Sequence, residues 1–171
     1  MIHLYCGDGK GKTSAAFGLA LRAAGQGRPV VIAQFLKGGE SGERQALAGH
    51  PKVCLIPSPR HVKFVFDMEE AERQAEAERQ QALFQAAWRA VPEEGPCLLV
   101  LDELCAAIST RMLPLEMALA RLERCRPEVE VVITGREPPC ELMERADYVT
   151  EMRKLRHPYD RGIAARRGIE W

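Results

Sequence analysis

The feature that most constrains the fold is a glycine-rich run placed directly after a short apolar segment. Residues 2–6 are apolar and typical of a strand, residues 7–13 are Gly-Asp-Gly-Lys-Gly-Lys-Thr, and residues 14–24 favour a helix. Glycines let the backbone curl so that several N–H groups converge, and the following helix N-terminus adds partial positive charge. The run therefore predicts a strand, a phosphate-binding loop and a helix, in that order.

This loop predicts a site for a polyphosphate that carries magnesium. In the general pattern G-x-x-x-x-G-K-[ST], the lysine reaches phosphate oxygens and the hydroxyl residue ligates the metal, and these are Lys12 and Thr13 here. Cys6 stands where the pattern begins with glycine, so the match is imperfect in its first position. A glycine-rich turn without a ligand is the structural alternative. The candidate nucleotide-binding residues all belong to the loop and the helix start: Gly7, Asp8, Gly9, Lys10, Gly11, Lys12, Thr13 and Ser14.

Length and composition indicate one domain without a nucleic-acid partner. The 171 residues are 46% hydrophobic, which suits a single nucleotide-binding domain over residues 1–171 with a sizeable core. Lys plus Arg and Asp plus Glu both total 24, so the formal net charge is zero. The chain therefore lacks the overall basic field that favours nucleic-acid binding.

Several sequence features indicate the cellular compartment of the protein. The first predicted strand is not preceded by a basic and apolar leader, and no apolar run approaches the roughly 20 residues that span a bilayer. We therefore expect a cytoplasmic protein without a membrane partner. The six cysteines form no C-x-x-C pair, which argues against a zinc knuckle and a disulfide framework. Buried small residues are their simplest interpretation.

Short β-branched runs alternate with longer helical patterns along the chain. This alternation predicts an α/β fold, with a mostly parallel sheet and helices on both faces. Beyond the first helix, residues 67–91 show apolar residues at helical spacing, and a helix over residues 114–125 begins with a proline. The predicted strands are short and mostly unalternating, as buried strands are, and cover residues 2–6, 30–35, 53–56, 97–102, 129–134 and 148–152.

Two further strand ends carry candidate site residues. The apolar strand 97–102 ends in Asp102 and continues with Glu103, and we expect it to lie beside the strand that leads into the phosphate loop. One carboxylate can then organise the magnesium shell while the other faces nucleotide or water. Arg136 follows strand 129–134 after a glycine, so it is a candidate phosphate clamp at the carboxyl edge of the sheet. A solvent-facing arginine after a turn is the alternative.

Several blocks closely resemble the P-loop-type ATP:corrinoid adenosyltransferases. The first block is residues 7–18, followed by Gln-Phe-Leu-Lys-Gly at residues 34–38 and Gly-Glu-Arg at 42–44. Matches continue at residues 100–104, 114–116 and 133–136. Residues 157–171 are similar to the family ending K-H-x-x-D-x-G-x-x-A-x-x-G-I-[DE]-aromatic, which other phosphate-loop enzymes have no reason to share. The resemblance covers nearly the whole chain.

The resemblance implies a P-loop NTPase-like, RecA-like sheet and adenosyl transfer. A reduced Co(I) corrinoid would attack the 5′-carbon of Mg-ATP and expel tripolyphosphate, in adenosylcobalamin biosynthesis or salvage. Carried over to this sequence, Lys12, Glu103 and Arg136 would be catalytic, with Lys10 supporting the phosphates. Magnesium would be held by Thr13 and Glu103, with Asp102 as a further candidate ligand. The resemblance also implies a homodimer and an electron-donating reductase, and it leaves the preferred corrinoid open.

The corrinoid side of the resemblance rests on a short aromatic segment. Relatives displace the lower axial ligand of cobalt with bulky aromatic side chains on a loop, and the corresponding loop here is residues 59–68. Phe64 and Phe66 are the candidates for that role. The alternation Phe-Val-Phe is also typical of an edge strand or a core plug.

Two other functions remain open at this point. A small P-loop kinase or ATPase would use the same loop and the same Asp-Glu pair, and it would release ADP. A nucleotide or corrinoid carrier without catalysis would bind its ligand and not turn it over. The C-terminal block is not explained by the first alternative.

Overall fold

The computed structural model describes residues 1–38, 41–59 and 61–169. Arg60 of the aromatic loop and the last two residues of the C-terminal block, Glu170 and Trp171, lie outside the described residues. Within the described part, the fold is an α/β sandwich around one parallel sheet, as the alternating pattern predicts.

Among the described residues, the sheet has six strands, and each strand pairs in parallel with its neighbours. The spatial order is β3-β2-β4-β5-β1-β6. All six predicted strands are confirmed, with ends that differ by no more than one residue from the predicted ones. Their bounds are Ile2–Cys6 (β1), Val30–Gln34 (β2), Val53–Leu55 (β3), Cys97–Asp102 (β4), Val129–Thr134 (β5) and Tyr148–Glu151 (β6).

The prediction that β4 lies beside β1, the strand that leads into the phosphate loop, is wrong. Strand β5 lies between them and pairs with both, Val131 opposite Leu99 on one side and opposite Ile2 on the other. The carboxylates at the end of β4 are therefore one strand further from the phosphate loop than expected. Thr134 at the end of β5 donates a hydrogen bond to one of these carboxylates, that of Asp102.

The helices cover both faces of the sheet. The three longer predicted helices are confirmed with small shifts at their ends, whereas three helices of six residues were not predicted because so short a segment shows little periodicity. Their bounds are Lys12–Gly25 (α1), Gly42–Leu47 (α2), Glu70–Arg89 (α3), Leu104–Ser109 (α4), Leu115–Glu123 (α5) and Cys140–Arg145 (α6).

Helix α3 begins three residues later than predicted. Residues Val65–Asp67 form a separate 3₁₀ turn. The carboxylate of Glu72 accepts a 2.8 Å hydrogen bond from the Glu69 N–H, which closes the first turn of the helix. This local cap, rather than the apolar spacing, sets where α3 starts.

Alternation along the central strands divides the core in two. Val30 and Ile32 face α1 and α2, where Phe17 and Leu47 pack against them. Val31 and its neighbours on the opposite face pack beneath α3 to α6. Both faces of the central strands are thus buried, which explains why their sequences are unbroken apolar runs.

The sheet edges and the cysteines depart from the simplest expectation. All four residues of β6 are exposed, because β6 is an edge strand with β1 as its neighbour. Cys6, Cys97 and Cys105 are buried as expected, Cys125 is half-buried, and Cys54 and Cys140 are exposed.

Within the described residues, no helix is long and apolar enough to cross a membrane.

Candidate functional site

A cleft of about 910 Å³ lies at the carboxyl edge of the sheet, where the phosphate loop begins. Its size is within the range of small-molecule sites. The loop lines one side, Glu103 and Arg136 line another, and residues from the C-terminal block, among them Tyr159 and Ile163, complete it. The sheet therefore brings together three segments that lie far apart in sequence.

The phosphate loop is anchored to the strand ends by its own backbone. The Gly7 N–H donates to the Arg136 carbonyl at 3.0 Å, and the Gly9 N–H donates to the Met152 carbonyl at 2.6 Å. A Cβ atom on Gly9 would lie 2.6 Å from that carbonyl oxygen, so only glycine fits there. These two N–H groups already have carbonyl partners, which leaves phosphate contacts to the later part of the loop.

Asp8 holds the same loop from its side chain. Its Oδ1 accepts a 2.9 Å hydrogen bond from the Lys154 N–H. This bond is the main cause that lowers the pKa of Asp8, with smaller contributions from nearby lysines. Asp8 therefore serves in this structure as an anchor to the segment after β6, and its carboxylate adds negative charge at the rim of the cleft.

Lys12 is buried inside the loop. Its ammonium donates to the carbonyls of Gly7 at 2.7 Å and Gly9 at 2.8 Å. Burial is the main cause that lowers its pKa, while Glu103 acts to raise it and Arg136 to lower it. Gly11 stands before the first helical turn without a side chain to cap it, so the first N–H groups of α1 have no partner within the helix. An anion placed here would meet both the ammonium and the helix N-terminus.

Asp102 forms the centre of a polar network beneath the cleft. It is fully buried, and each of its carboxylate oxygens accepts two hydrogen bonds. The donors to Oδ1 are Thr13 at 3.0 Å and Thr134 at 2.8 Å, and those to Oδ2 are Gln34 at 3.0 Å and Lys37 at 2.8 Å. The carboxylate thus links the phosphate loop to the ends of β2, β4 and β5.

These donors keep Asp102 ionised. Burial acts to raise the pKa of the carboxyl group, but the Lys37 ammonium and the hydrogen bonds from Lys37, Gln34 and Thr134 outweigh it. The pKa of Asp102 consequently lies below its ordinary value. A buried negative charge is therefore present directly under the Thr13 hydroxyl.

Glu103 points its side chain towards the cleft because its backbone is in the left-handed region, at φ 62°. The Thr134 hydroxyl accepts a 2.8 Å hydrogen bond from the Glu103 N–H, which fixes this turn before α4. A non-glycine residue in this conformation is strained, and such residues concentrate at functional sites. Asp102 and Glu103 are adjacent in sequence, yet the first is buried and the second faces the cleft.

The two aromatic candidates lie outside this cleft. Phe64 is 79% exposed and Phe66 is 88% exposed, whereas Val65 between them is buried in the core. The segment is therefore a 3₁₀ turn plugged by its valine, and it is not an edge strand. Two large aromatic side chains on the surface are free to contact a large apolar ligand.

Comparison with known proteins identifies the family. A family model described as ATP:corrinoid adenosyltransferase BtuR/CobO/CobP matches residues 1–171. The chain is 35% identical over 172 residues to the corrinoid adenosyltransferase of Escherichia coli, and this match covers 100% of the chain and 85% of that relative. The chain belongs to the ATP:corrinoid adenosyltransferase family.

Other relatives support the same assignment. Corrinoid adenosyltransferase CobA of Salmonella typhimurium is 34% identical over 172 residues, with 100% of this chain and 85% of the relative covered. The corrinoid adenosyltransferase of Pseudomonas aeruginosa is 35% identical over 174 residues, with 100% and 83% covered. Enzymes of this family transfer an adenosyl group from ATP to corrinoids. The resemblance stated from sequence blocks is thereby confirmed.

Three residues of the adenosyltransferase site were not predicted individually. In the sequence analysis, all three lie within blocks that match the family, and Gln34 and Thr134 also lie in predicted strands, but none of them is given a role. All three contact Asp102 across 65, 68 and 32 positions of sequence, respectively. The one sequence signal for them is that each lies at or just after the carboxyl end of a predicted strand, where ligands bind in open α/β sheets.

Proposed function

We propose that this adenosyltransferase transfers the 5′-deoxyadenosyl group of Mg-ATP to the Co(I) centre of a corrinoid and releases tripolyphosphate. The observation that carries the proposal is the composition of one cleft. It combines a phosphate loop with the C-terminal block that is specific to the family, including Tyr159, Ile163 and Ile169. Residues 1–171 would act as one nucleotide-binding domain in adenosylcobalamin biosynthesis or salvage.

The phosphate side of the site is built from positive groups. Lys12 would exchange its two carbonyl partners for phosphate oxygens, and the N–H groups of Lys12, Thr13 and Ser14 would donate from the start of α1. Arg136 lines the same cleft and can stabilise the charge that develops on the leaving triphosphate. Lys10 lies on the cleft wall and supports the phosphates from there.

The residues around Thr13 fit a magnesium ion. They offer a hydroxyl, the two carboxylates of Asp102 and Glu103, and the Gln34 Oε1, a buried oxygen without a hydrogen-bond partner among the described residues. The described residues contain no group of three or more His, Cys, Asp or Glu that could hold a metal by themselves. Magnesium commonly uses one or two carboxylates together with phosphate oxygens and water. When bound, it would neutralise charge on the triphosphate.

The chemistry requires positioning more than activation. Co(I) is itself a strong nucleophile and donates an electron pair to C5′, while the C5′–O bond breaks and its electron pair leaves with the triphosphate. No residue has to remove a proton from the nucleophile. Lys12, Arg136 and the loop N–H groups therefore contribute by orientation and by stabilising the leaving group.

The corrinoid would contact the exposed aromatic pair. Phe64 and Phe66 are large apolar side chains at a surface turn whose position is fixed by the buried Val65. By resemblance to the family, these aromatic rings would lie against the lower face of the corrinoid and displace its axial ligand. The family resemblance further supports a cytoplasmic homodimer that receives electrons from a separate reductase.

An anaerobic incubation with Mg-ATP and chemically reduced cobalamin tests the proposal. The corrinoid spectrum and the phosphate products are measured in the same sample. We expect adenosylcobalamin and tripolyphosphate in equal amounts. ADP with an unchanged corrinoid spectrum would instead establish a kinase or an ATPase, and nucleotide or corrinoid binding without any product would establish a carrier.

A further inference from the structure

Lys37 places a cation among the residues that suit a metal ion. Its ammonium donates to Asp102 Oδ2 at 2.8 Å and to Thr13 Oγ1 at 2.9 Å, and lies 3.9 Å from Glu103 Oε1. These three residues are among those that offer oxygen ligands to magnesium. The side chain of Lys37 is 34% exposed, so the ammonium reaches this position from the cleft side.

The backbone before Lys37 fixes the direction of its side chain. Leu36 has a left-handed backbone, at φ 54°, although it is not a glycine. The Leu36 N–H donates to the Gln80 side-chain oxygen at 3.3 Å, and Gln80 is fully buried on α3. Its amide group is held in turn by Glu76 at 2.6 Å. The turn after β2 is therefore maintained by a buried contact, and it returns Lys37 towards the end of β4.

A divalent ion and this ammonium cannot occupy the position together. Magnesium binds oxygen ligands at about 2.0–2.1 Å, so an ion ligated by Thr13 would lie within a few ångströms of the present ammonium position. Two cations at that separation repel each other strongly. Entry of the metal therefore requires Lys37 to move outwards into the cleft.

We propose that Lys37 is a built-in substitute for the metal, a positioning residue whose ammonium neutralises Asp102 and orients Thr13 until the divalent ion arrives with the nucleotide. The proposal rests on the proposed function in assuming that a divalent ion binds at Thr13. It predicts that the empty protein disfavours the free ion because Lys37 competes with it. Metal and nucleotide would then enter together, and the displaced ammonium would face the incoming phosphates.

Binding of Mn²⁺ without nucleotide tests this competition. Free Mn²⁺ is measured by its electron paramagnetic resonance signal during titration of the wild-type protein, Lys37→Met and the control Lys52→Met. Lys52 is exposed and lies just before β3, at the amino ends of the parallel strands, whereas the cleft lies at their carboxyl ends. Its substitution therefore makes the same charge change away from the cleft. We expect Lys37→Met to bind one Mn²⁺ about tenfold more tightly or better, and Lys52→Met to match the wild type. Equal or weaker binding by Lys37→Met would overturn the proposal.

Thermal unfolding of the same samples reports on folding. Lys37→Met leaves the buried Asp102 without its cation, so its melting temperature should fall, and Mn²⁺ should restore most of the loss. A merely structural role for Lys37 predicts the same fall without rescue by Mn²⁺. That result would contradict the proposal.

A second measurement uses only the wild-type protein and does not depend on a variant that folds. Amine labelling of Lys37 is followed by mass spectrometry as Mn²⁺ is added to the level at which resonance shows the site filled. We expect labelling of Lys37 to increase severalfold while that of Lys52 stays constant. Unchanged labelling at a filled site would refute displacement, whereas adenosyl transfer by the same preparation would show that the proposed function still holds.

Discussion

Thr13 donates a 3.0 Å hydrogen bond to Asp102 across 89 positions of sequence. The bond joins the second residue of helix α1 to the carboxyl end of β4. Thr134 of β5 donates to the same carboxylate oxygen. Strand β5 lies between β1 and β4, so the Thr13 side chain reaches Asp102 across the end of β5. The phosphate loop and the carboxylate thus form one unit without being on neighbouring strands.

Replacing Asp102 with asparagine should destabilise the protein strongly. The substitution removes the negative charge that pairs with Lys37. It also replaces one carboxylate oxygen by an amide NH₂ group, which must face side chains that themselves donate hydrogen bonds. Lys37 is 34% exposed and can turn its charge to water, whereas a buried donor that is left without an acceptor costs about 1–3 kcal/mol. Urea unfolding measures this loss, and Asp67→Asn serves as a control because Asp67 is exposed. A loss within about 0.5 kcal/mol, as at ordinary surface sites, would contradict the role of Asp102 as the centre of the network.

The contribution of Asp102 should also decline in acid. Its pKa is lower in the folded protein than in the unfolded chain, so the unfolded chain binds more protons on this group. Its stabilisation is therefore complete above the ordinary pKa of about 3.9 and is lost as the pH falls through the lower folded value. Urea unfolding of the wild type and Asp102→Asn across this pH window is the measurement. The difference in unfolding free energy should shrink towards acid pH, and a constant difference would refute the assignment.

Much of the fold could be predicted because local sequence determines it. Strands β1, β4 and β5 have the predicted bounds, since each is an apolar run that ends at a glycine or a charged residue. The order of the strands could not be predicted in the same way. Pairing depends on contacts between distant segments, and no local pattern shows that β5 would lie between β1 and β4.

The candidate site likewise contains residues that local sequence predicts and residues that it does not. Lys12 and Thr13 are apparent from a motif because their roles depend on neighbouring glycines and on the helix that follows. Lys37 has no motif of its own, because its role arises only when the end of β2 meets the end of β4. Gly9 is intermediate, since the motif predicts a glycine but not the Met152 carbonyl that excludes a side chain.

Two glycine substitutions should have opposite effects on stability. In Gly9→Ala the new methyl group would lie 2.6 Å from the Met152 carbonyl oxygen, a backbone atom that cannot move without disturbing the end of β6. We expect loss of stability and weaker ATP binding. In Gly18→Ala the methyl group meets nothing within 4 Å on helix α1, and the higher helix propensity of alanine should add about 0.5–1 kcal/mol. Urea unfolding and nucleotide titration distinguish the two, and an unperturbed Gly9→Ala would show that the loop is not anchored there.

Substitutions in the aromatic turn should distinguish residues that matter for transfer from a residue that matters for stability. Phe64→Ala and Phe66→Ala remove exposed side chains, so each should change unfolding free energy by less than about 0.5 kcal/mol. Val65→Ala opens a cavity in the core and should cost about 1–3 kcal/mol. If the aromatic pair contacts the corrinoid, the two phenylalanine variants should lose transfer at low corrinoid concentration while ATP binding is unchanged. Normal transfer by the double variant would remove both residues from the site.

The strongest effect on transfer should come from Lys12→Ala. The substitution removes an ammonium that stabilises charge on the leaving triphosphate, and loss of one such donor commonly lowers the rate about 100-fold to 1,000-fold. The fold should survive. Among the described residues, Lys12 hydrogen-bonds only to the carbonyls of Gly7 and Gly9, which lie in a loop that lines an open cleft and can be hydrated there. Anaerobic transfer assays and circular dichroism of Lys12→Ala and Lys52→Ala provide the measurement. Unchanged turnover in a folded Lys12→Ala would mean that the triphosphate does not bind in this loop, whereas an equal loss in Lys52→Ala would attribute the effect to net charge rather than to contact.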